Sequence, residues 1–268
     1  MSYSIKDLQE KILIILKEIK RICDENNIKY ILYAGTCLGA VRHKGFIPWD
    51  DDADIAMPRD EYIKFQSLCE SGKLNSNFYY QDFSLNKEPH YKDAWLRIRL
   101  NNTECVIDYH EKYKYNHLGV FVDIFPIDFS SNEKHNYISK QYRKYCRVQR
   151  CFANKIAPTR FSFKSKILHF LLTASTPMKL YQKRLKIMTG MGTKNNCCCL
   201  FDFCFDDAVK KAVFDKTLFD ELIDCSFEDS KFKIPLKYDE MLKQLYGNYL
   251  ELPPKEKQIA HLPTRIKL

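Results

Sequence analysis

Apolar residues recur every three or four positions from Ile5 to Ile22, through Leu8, Ile12, Ile15, Leu16 and Ile19. That spacing is the stripe of an amphipathic helix over residues 4–26. Ser4 and Asp7 form a capping box at its start, and Asn26-Asn27 ends it. A short apolar run from Tyr30 to Ala34 predicts a buried strand. A helical stretch follows over 36–43, and a second strand over 53–57. Pro58 opens another helix, with Tyr62, Phe65, Leu68 and Cys69 on one face. Strands are predicted over 78–83 and 94–100. In the second, Trp95 to Leu100 alternates, so Arg97 and Arg99 share a face. Residues 103–108 are expected to pair with it. Gly119 to Asp128 forms a β-prone run with a single carboxylate, Asp123, inside it, and Pro126 is expected to end the strand.

From 132 to about 190 the pattern is helical and basic, interrupted at Pro158 and Pro177. Residues 206–224 read as a hairpin or as a strand with a short helix. Tyr238 to Tyr246 reads as a last helix, ended by Gly247, and Pro253-Pro254 lead into the tail. The division this implies is a catalytic core over 1–130 and a mainly helical basic region with a C-terminal tail, 131–268, packed on it.

Composition narrows the class. The chain has 268 residues, 45% of them hydrophobic, which supports a packed core rather than disorder. No apolar stretch is long enough to span a bilayer, and the N-terminus lacks a signal-peptide layout. The expected location is the cytoplasm, or its membrane face. The 11 Cys then read as reduced thiols. Cys197, Cys199, Cys204 and Cys225 could be combined into a zinc site, but at a spacing that matches no familiar ligand pattern. The net charge of +9 is uneven: between Glu133 and Asp202 there is no Asp or Glu, so that segment calls for an anionic partner.

The chemistry gathers between the first two strands. Arg42, His43 and Lys44 precede Pro48 and Trp49, and then Asp50, Asp51, Asp52 and Asp54 follow within five positions. Asp52 and Asp54, two apart at a strand start, point to one side. Clustered carboxylate oxygens suit Mg²⁺ or Mn²⁺ with substrate phosphates as further ligands. Asp123, flanked by Val122 and Ile124, needs a partner if buried, and a shared metal supplies one. Gly35-Thr36 ends the first strand as a small turn before a helix, where backbone N–H groups approach a phosphate. These are the parts of a nucleotidyltransferase-type site, in which a hydroxyl attacks phosphorus. Other readings of the same residues stay open. The acidic run also reads as a solvated turn. Arg42 and Lys44 read equally as partners of the aspartates and as phosphate contacts. Arg97 and Arg99 read also as the exposed face of an edge strand.

The run from Gly35 through Leu38-Gly-Ala-Val-Arg-His-Lys-Gly-Phe-Ile-Pro-Trp-Asp-Asp-Asp to Asp54 resembles the signature of the LicD family, bacterial phosphocholine transferases related to the fukutin group. The likeness continues at Val122-Asp-Ile-Phe-Pro-Ile-Asp128 and at Tyr246-Gly-x-Tyr-x-x-Leu-Pro-Pro254, followed by His261. It implies an α+β, nucleotidyltransferase-like mixed β-sheet core flanked by helices, with an added helical region. It also implies transfer of phosphocholine from CDP-choline to a sugar hydroxyl of a glycan or lipid-linked glycan, with release of CMP. Carried over by motif, Asp52, Asp54 and Asp123 would be the catalytic, metal-holding carboxylates. Gly35, Thr36 and Arg42 would lie at the donor phosphates, and Lys44, Arg97 and Arg99 would serve substrate binding. Arg97 stands where the resemblance leads one to expect Lys, and a fork replaces a point charge. The basic segment, residues 160–187 above all, then has a use at an anionic membrane face, while the alternative for it is an ordinary helical unit. An NTP-dependent nucleotidyltransferase is the competing enzyme. A nucleic-acid-binding module is the competing non-enzyme. No nucleic-acid partner is expected, because the acidic loop repels phosphate without metal and no zinc-finger, RNA-recognition or helix-turn-helix pattern is present.

Overall fold

The computed structural model describes residues 3–83, 88–107, 113–130, 135–156, 175–191, 197–199, 211, 213–260 and 263–268, with backbone alone at 135–136 and 197–199. Helix α1 (Ile5–Glu25) carries the expected capping box: the Asp7 amide donates to Ser4 Oγ at 3.2 Å and the Ser4 amide to the Asp7 carboxylate at 2.8 Å. Its apolar stripe, Leu8 through Ile22, is buried in the main core.

The elements that follow are β1 (Ile31–Leu32), α2 (Ala34–His43), β2 (Asp54–Pro58), α3 (Arg59–Glu70), β3 (Phe78–Gln81), β4 (Leu96–Leu100), β5 (Glu104–Val106) and β6 (Phe121–Ser130). The central sheet runs β1-β2-β6-β4-β3. β2 and β6 are parallel and the other pairs on that path are antiparallel. The mixed sheet with helices is the expected α+β architecture. Leu96, Ile98, Val122 and Ile124 alternate with the polar residues of β4 and β6, and they join α1 in the core.

Three local expectations change. β1 is two residues long, because Ala34 takes φ 46° and turns the chain into α2, which places Gly35 and Thr36 in the first helical turn. β5 pairs with β11 (Arg265–Lys267), not with β4. β6 runs through Pro126. The Asp123 amide donates to Ala53 on the β2 side, so amides at even positions face β4. The β4 ladder stops at Leu96 opposite Ile124, so Pro126 removes an N–H that had no strand to meet.

Beyond residue 130 come α4 (His135–Ile156), α5 (Pro177–Thr189), β7 (Cys197–Cys199), β8 (Val213–Asp215), β9 (Leu222–Phe227), β10 (Ser230–Pro235) and α6 (Tyr238–Tyr246). β7 extends the sheet by pairing with Asp128–Ser130 of β6, and β8 pairs with β7. Of the segment 206–224, the described part is β8, a 3₁₀ turn over Lys216–Phe219 and the start of the β9–β10 hairpin. The hairpin and α6 contribute Phe227, Phe232, Ile234, Met241, Leu242 and Leu245 to the same core as α1. Helices α4 and α5 pack on each other. Two buried side chains tie them to the turn before β4: Gln149 donates to the Lys92 carbonyl at 2.7 Å, and Arg184 to the Lys92 and Asp93 carbonyls at 2.8 and 3.0 Å. Among the described residues, no helix is long and apolar enough to cross a membrane.

Candidate active site

The acidic loop is fixed from two sides. Gln9 on α1 donates its side-chain amide to the Ile47 and Asp50 carbonyls at 3.0 and 2.8 Å. On the other side, the Asp54 amide donates to Thr36 Oγ1 at 2.8 Å, and the Tyr33 amide donates to the Asp54 carbonyl at 2.9 Å. Thr36 is buried, so its hydroxyl aligns the start of β2 rather than facing a ligand. The absence of a side chain at Gly35 has a local reason: a Cβ there would lie 3.0 Å from Asp50 Oδ2. Burial first, then the neighbouring Asp52 and Asp51, pushes the Asp50 carboxyl up to about 8, and Asp50 and Asp52 are hydrogen-bonded to each other.

Asp54 and Asp123 stand opposite each other in the parallel β2–β6 register. Strands pair at about 4.8 Å, and in-register residues share a face, so the two carboxylates project side by side. On the other flank of β6, Arg97 is opposite Asp123. Its guanidinium forks onto both carboxylate oxygens, with Nη2 3.1 Å from Oδ2. Arg97 is 1% exposed, lies over the Phe121 ring at 4.4 Å and reaches Asp93 at 3.3 Å. Burial works against the charged form of Asp93, but Lys92 and Arg97 outweigh it and hold that carboxyl below the usual range.

The other cations are placed as follows. Arg99 is fully buried; it donates to Gln81 Oε1 at 2.5 Å and to the Gly119 carbonyl at 2.6 Å, and does not line the cavity at Asp54. The exposed-edge reading of Arg97 and Arg99 is thus overturned: β4 lies inside the sheet and both side chains are buried. Arg42 donates to the Tyr249 and Glu251 carbonyls at 2.7 and 3.3 Å, clasping the Tyr246–Pro254 segment onto α2. Burial, then Arg42, lowers the pKa of His43, whose Nε2 accepts from Arg42 Nε at 2.9 Å. Lys44 is exposed, caps α2 at φ 62° and accepts the Glu228 amide at 2.8 Å through its carbonyl.

Two cavities lie beside the acidic loop. One, of about 480 Å³, is bounded by Asp52, Asp54 and Asp123, with Trp95, Tyr113, Phe121 and Phe125 as aromatic walls. The other, of about 580 Å³, is bounded by Gly35, Arg42, Trp49, Asp50, Tyr246 and Tyr249. The Asp50–Asp52 contact joins them, since one carboxyl faces each cavity. The residues expected together are therefore split. The three carboxylates and Arg97 meet in the first cavity. Gly35 and Arg42 line the second, and Thr36, Lys44 and Arg99 line neither. The sequence reading missed the aromatic walls. Trp95 and Phe125 lie two residues from Arg97 and Asp123, so strand alternation puts them on the same face, and their rings are 4.8 Å apart.

Asp52, Asp54 and Asp123 supply the hard oxygen donors that Mg²⁺ or Mn²⁺ takes. A carboxylate offers about four lone-pair directions, so Asp123 can keep Arg97 and still face a cation. As the side chains are placed, no three His, Cys, Asp or Glu among the described residues are grouped to hold a metal ion. Of the conceivable zinc ligands, Cys204 and the side chains of Cys197 and Cys199 lie outside the described residues; His261, which follows the Tyr246–Pro254 motif, also lies outside them. Cys225 Sγ is 3.6 Å from the Ala40 carbonyl.

Comparisons with known proteins identify relatives of this chain. Residues 27–165 match the family described as LicD/FKTN/FKRP, nucleotidyltransferase domain. Over 268 residues, 96% of either chain, the sequence is 28% identical to lipopolysaccharide cholinephosphotransferase LicD of Haemophilus influenzae. It is 31% identical over 138 residues to an uncharacterised protein of Rickettsia typhi, covering 48% of this chain and 38% of that one. A protein of Rickettsia prowazekii, also uncharacterised, shares 44% identity over 54 residues, 20% of each chain. The family match takes in the acidic loop, β2, β4, β6 and α4, which contribute to the first cavity, and α2, which contributes to the second, and the chain belongs to the LicD family.

Proposed function

We propose that this protein transfers phosphocholine from CDP-choline to a sugar hydroxyl of a cell-surface glycan or its lipid-linked precursor and releases CMP, working at the cytoplasmic face of the membrane. The observation that carries the reading is the composition of the first cavity: a carboxylate floor beneath aromatic walls. Aromatic faces attract a quaternary ammonium group, and carboxylates add to that attraction. A floor of carboxylates suits phosphate transfer only with a cation between them. The name of the Haemophilus relative points to the same transferred group and to a lipopolysaccharide acceptor.

In this reading Asp52, Asp54 and Asp123 would hold Mg²⁺ or Mn²⁺, which neutralises charge developing on the phosphoryl oxygens. The chain's own residues do the positioning. Thr36 and Tyr33 fix the Asp54 backbone. Arg97 orients Asp123 and is itself braced by Asp93. Trp95 and Phe125 receive the trimethylammonium end of the donor. The second cavity, with Gly35, Arg42 and Trp49 on its walls, takes the nucleotide end, so the two halves of the donor lie on either side of the Asp50–Asp52 contact.

Incubation with Mg²⁺ and a panel of donors tests the reading. CMP released from CDP-choline in the presence of a glycan acceptor supports it. Pyrophosphate released from an NTP instead would make the chain a nucleotidyltransferase on another substrate.

A further inference from the structure

Helix α4 carries Lys140, Arg143, Arg147 and Arg150 at intervals of three, four and three residues. At 3.6 residues per turn these four fall within an arc of about 80° and span about 15 Å of helix. All four are exposed, and the helix turns its other side inward, with Tyr145, Val148 and Phe152 buried. No described residue forms an ion pair with the stripe: α4 contains no Asp or Glu, and no salt bridge in the described structure reaches it. A stripe of unneutralised like charges repels itself, which has a use when an anion lies along it.

The stripe is not an isolated surface. Arg150, its last member, lines the cavity that holds Asp54 and Asp123, beside Gln149 and Ala153. Gln149 and Arg184 fasten α4 and α5 to the Lys92–Asp93 turn, which fixes the direction in which the stripe leads. The row of cations therefore begins about 15 Å away along the helix and ends at the mouth of the site.

We infer that the Lys140–Arg143–Arg147–Arg150 stripe is the docking track for the acceptor, and that the acceptor is an anionic glycan carrying phosphate or carboxylate groups at several positions. This rests on the transferase reading and specifies its second substrate. The track holds the anionic stem of the glycan and presents its terminal hydroxyl to the cavity. A neutral glycan of the same length gains nothing from it.

The test uses the full chain and fluorescent dextran phosphate as probe, with neutral dextran as its control. Lys140, Arg143 and Arg147 are replaced by Gln together, leaving Arg150 of the cavity in place. A second triple variant, Lys6→Gln, Lys29→Gln and Lys73→Gln, removes the same charge from exposed positions elsewhere. The wild type and the second variant should bind dextran phosphate with a steep salt dependence. The α4 variant should bind about tenfold more weakly with a flatter salt slope. Thermal unfolding should stay unchanged, because the three side chains are exposed. Equal weakening in both variants would overturn the inference in favour of net charge alone. So would stripe-dependent binding of phosphatidylglycerol vesicles without binding of dextran phosphate, which would make α4 a membrane-facing surface. CMP release from CDP-choline, measured alongside, tests the transferase reading separately: its absence in the wild type would defeat that reading, whatever the binding data show.

Discussion

Asp54 and Asp123 occupy the same rung of the parallel β2–β6 ladder, and Arg97 occupies the next place on that rung. Three charges thus stand in a row across three strands, two negative and one positive. Arg97 forks onto Asp123, so its positive charge offsets the mutual repulsion of the two carboxylates. All three residues line the first cavity.

The Thr36 hydroxyl is the joint between α2 and this row. Thr36→Val keeps the shape and leaves the Asp54 amide without its acceptor, a loss of about 1–3 kcal/mol for a buried polar group. Urea denaturation should show that loss, and CMP release should fall with it. Thr36→Ser should retain both stability and activity.

Asp50 predicts a pH dependence of stability. In the folded protein its pKa is raised to about 8 from the ordinary carboxylate value of about 4, chiefly by burial and then by Asp52. Between these two values the unfolded chain has lost a proton that the folded chain keeps. Stability therefore falls as pH rises from about 4 to about 8 and levels off above. Urea midpoints measured across that range with chelator present should show this slope, and Asp50→Asn should reduce it and raise the midpoint at pH 8.

Lys44 separates capping from chemistry. The residue sits at φ 62° after α2, where a side chain is strained. Lys44→Gly should raise stability by about 1 kcal/mol and leave CMP release unchanged. A drop in activity with unchanged stability would return Lys44 to the substrate-binding group.

Much of the site was legible because strand alternation is a strong rule. Asp123 inside an apolar run and Asp52-x-Asp54 at a strand start both led to one face of one sheet. The partners that reach across the chain were not legible. Arg42 meets the Tyr249 carbonyl 207 residues away, and Gln9 meets Asp50 41 residues away. Such contacts depend on how elements pack, which local pattern does not specify. The Arg97 fork onto Asp123 depends on β4 lying next to β6, while a sequence-adjacent reading had placed 103–108 beside β4. Pro126 reads locally as a stop, yet β6 continues through it because the β4 ladder it would interrupt ends before it.

The central claim is that Asp54 and Asp123 act together in phosphocholine transfer. Its most direct measurement is CMP release from CDP-choline with Mg²⁺ and a glycan acceptor, compared among wild type, Asp54→Asn and Asp123→Asn. Each variant should lose at least about 100-fold in rate. Asp123→Asn, which strips the buried Arg97 of a forked partner, should also unfold more easily, so the rates are compared where every variant is folded. Substantial CMP release by both variants, with their folds intact, would contradict the account.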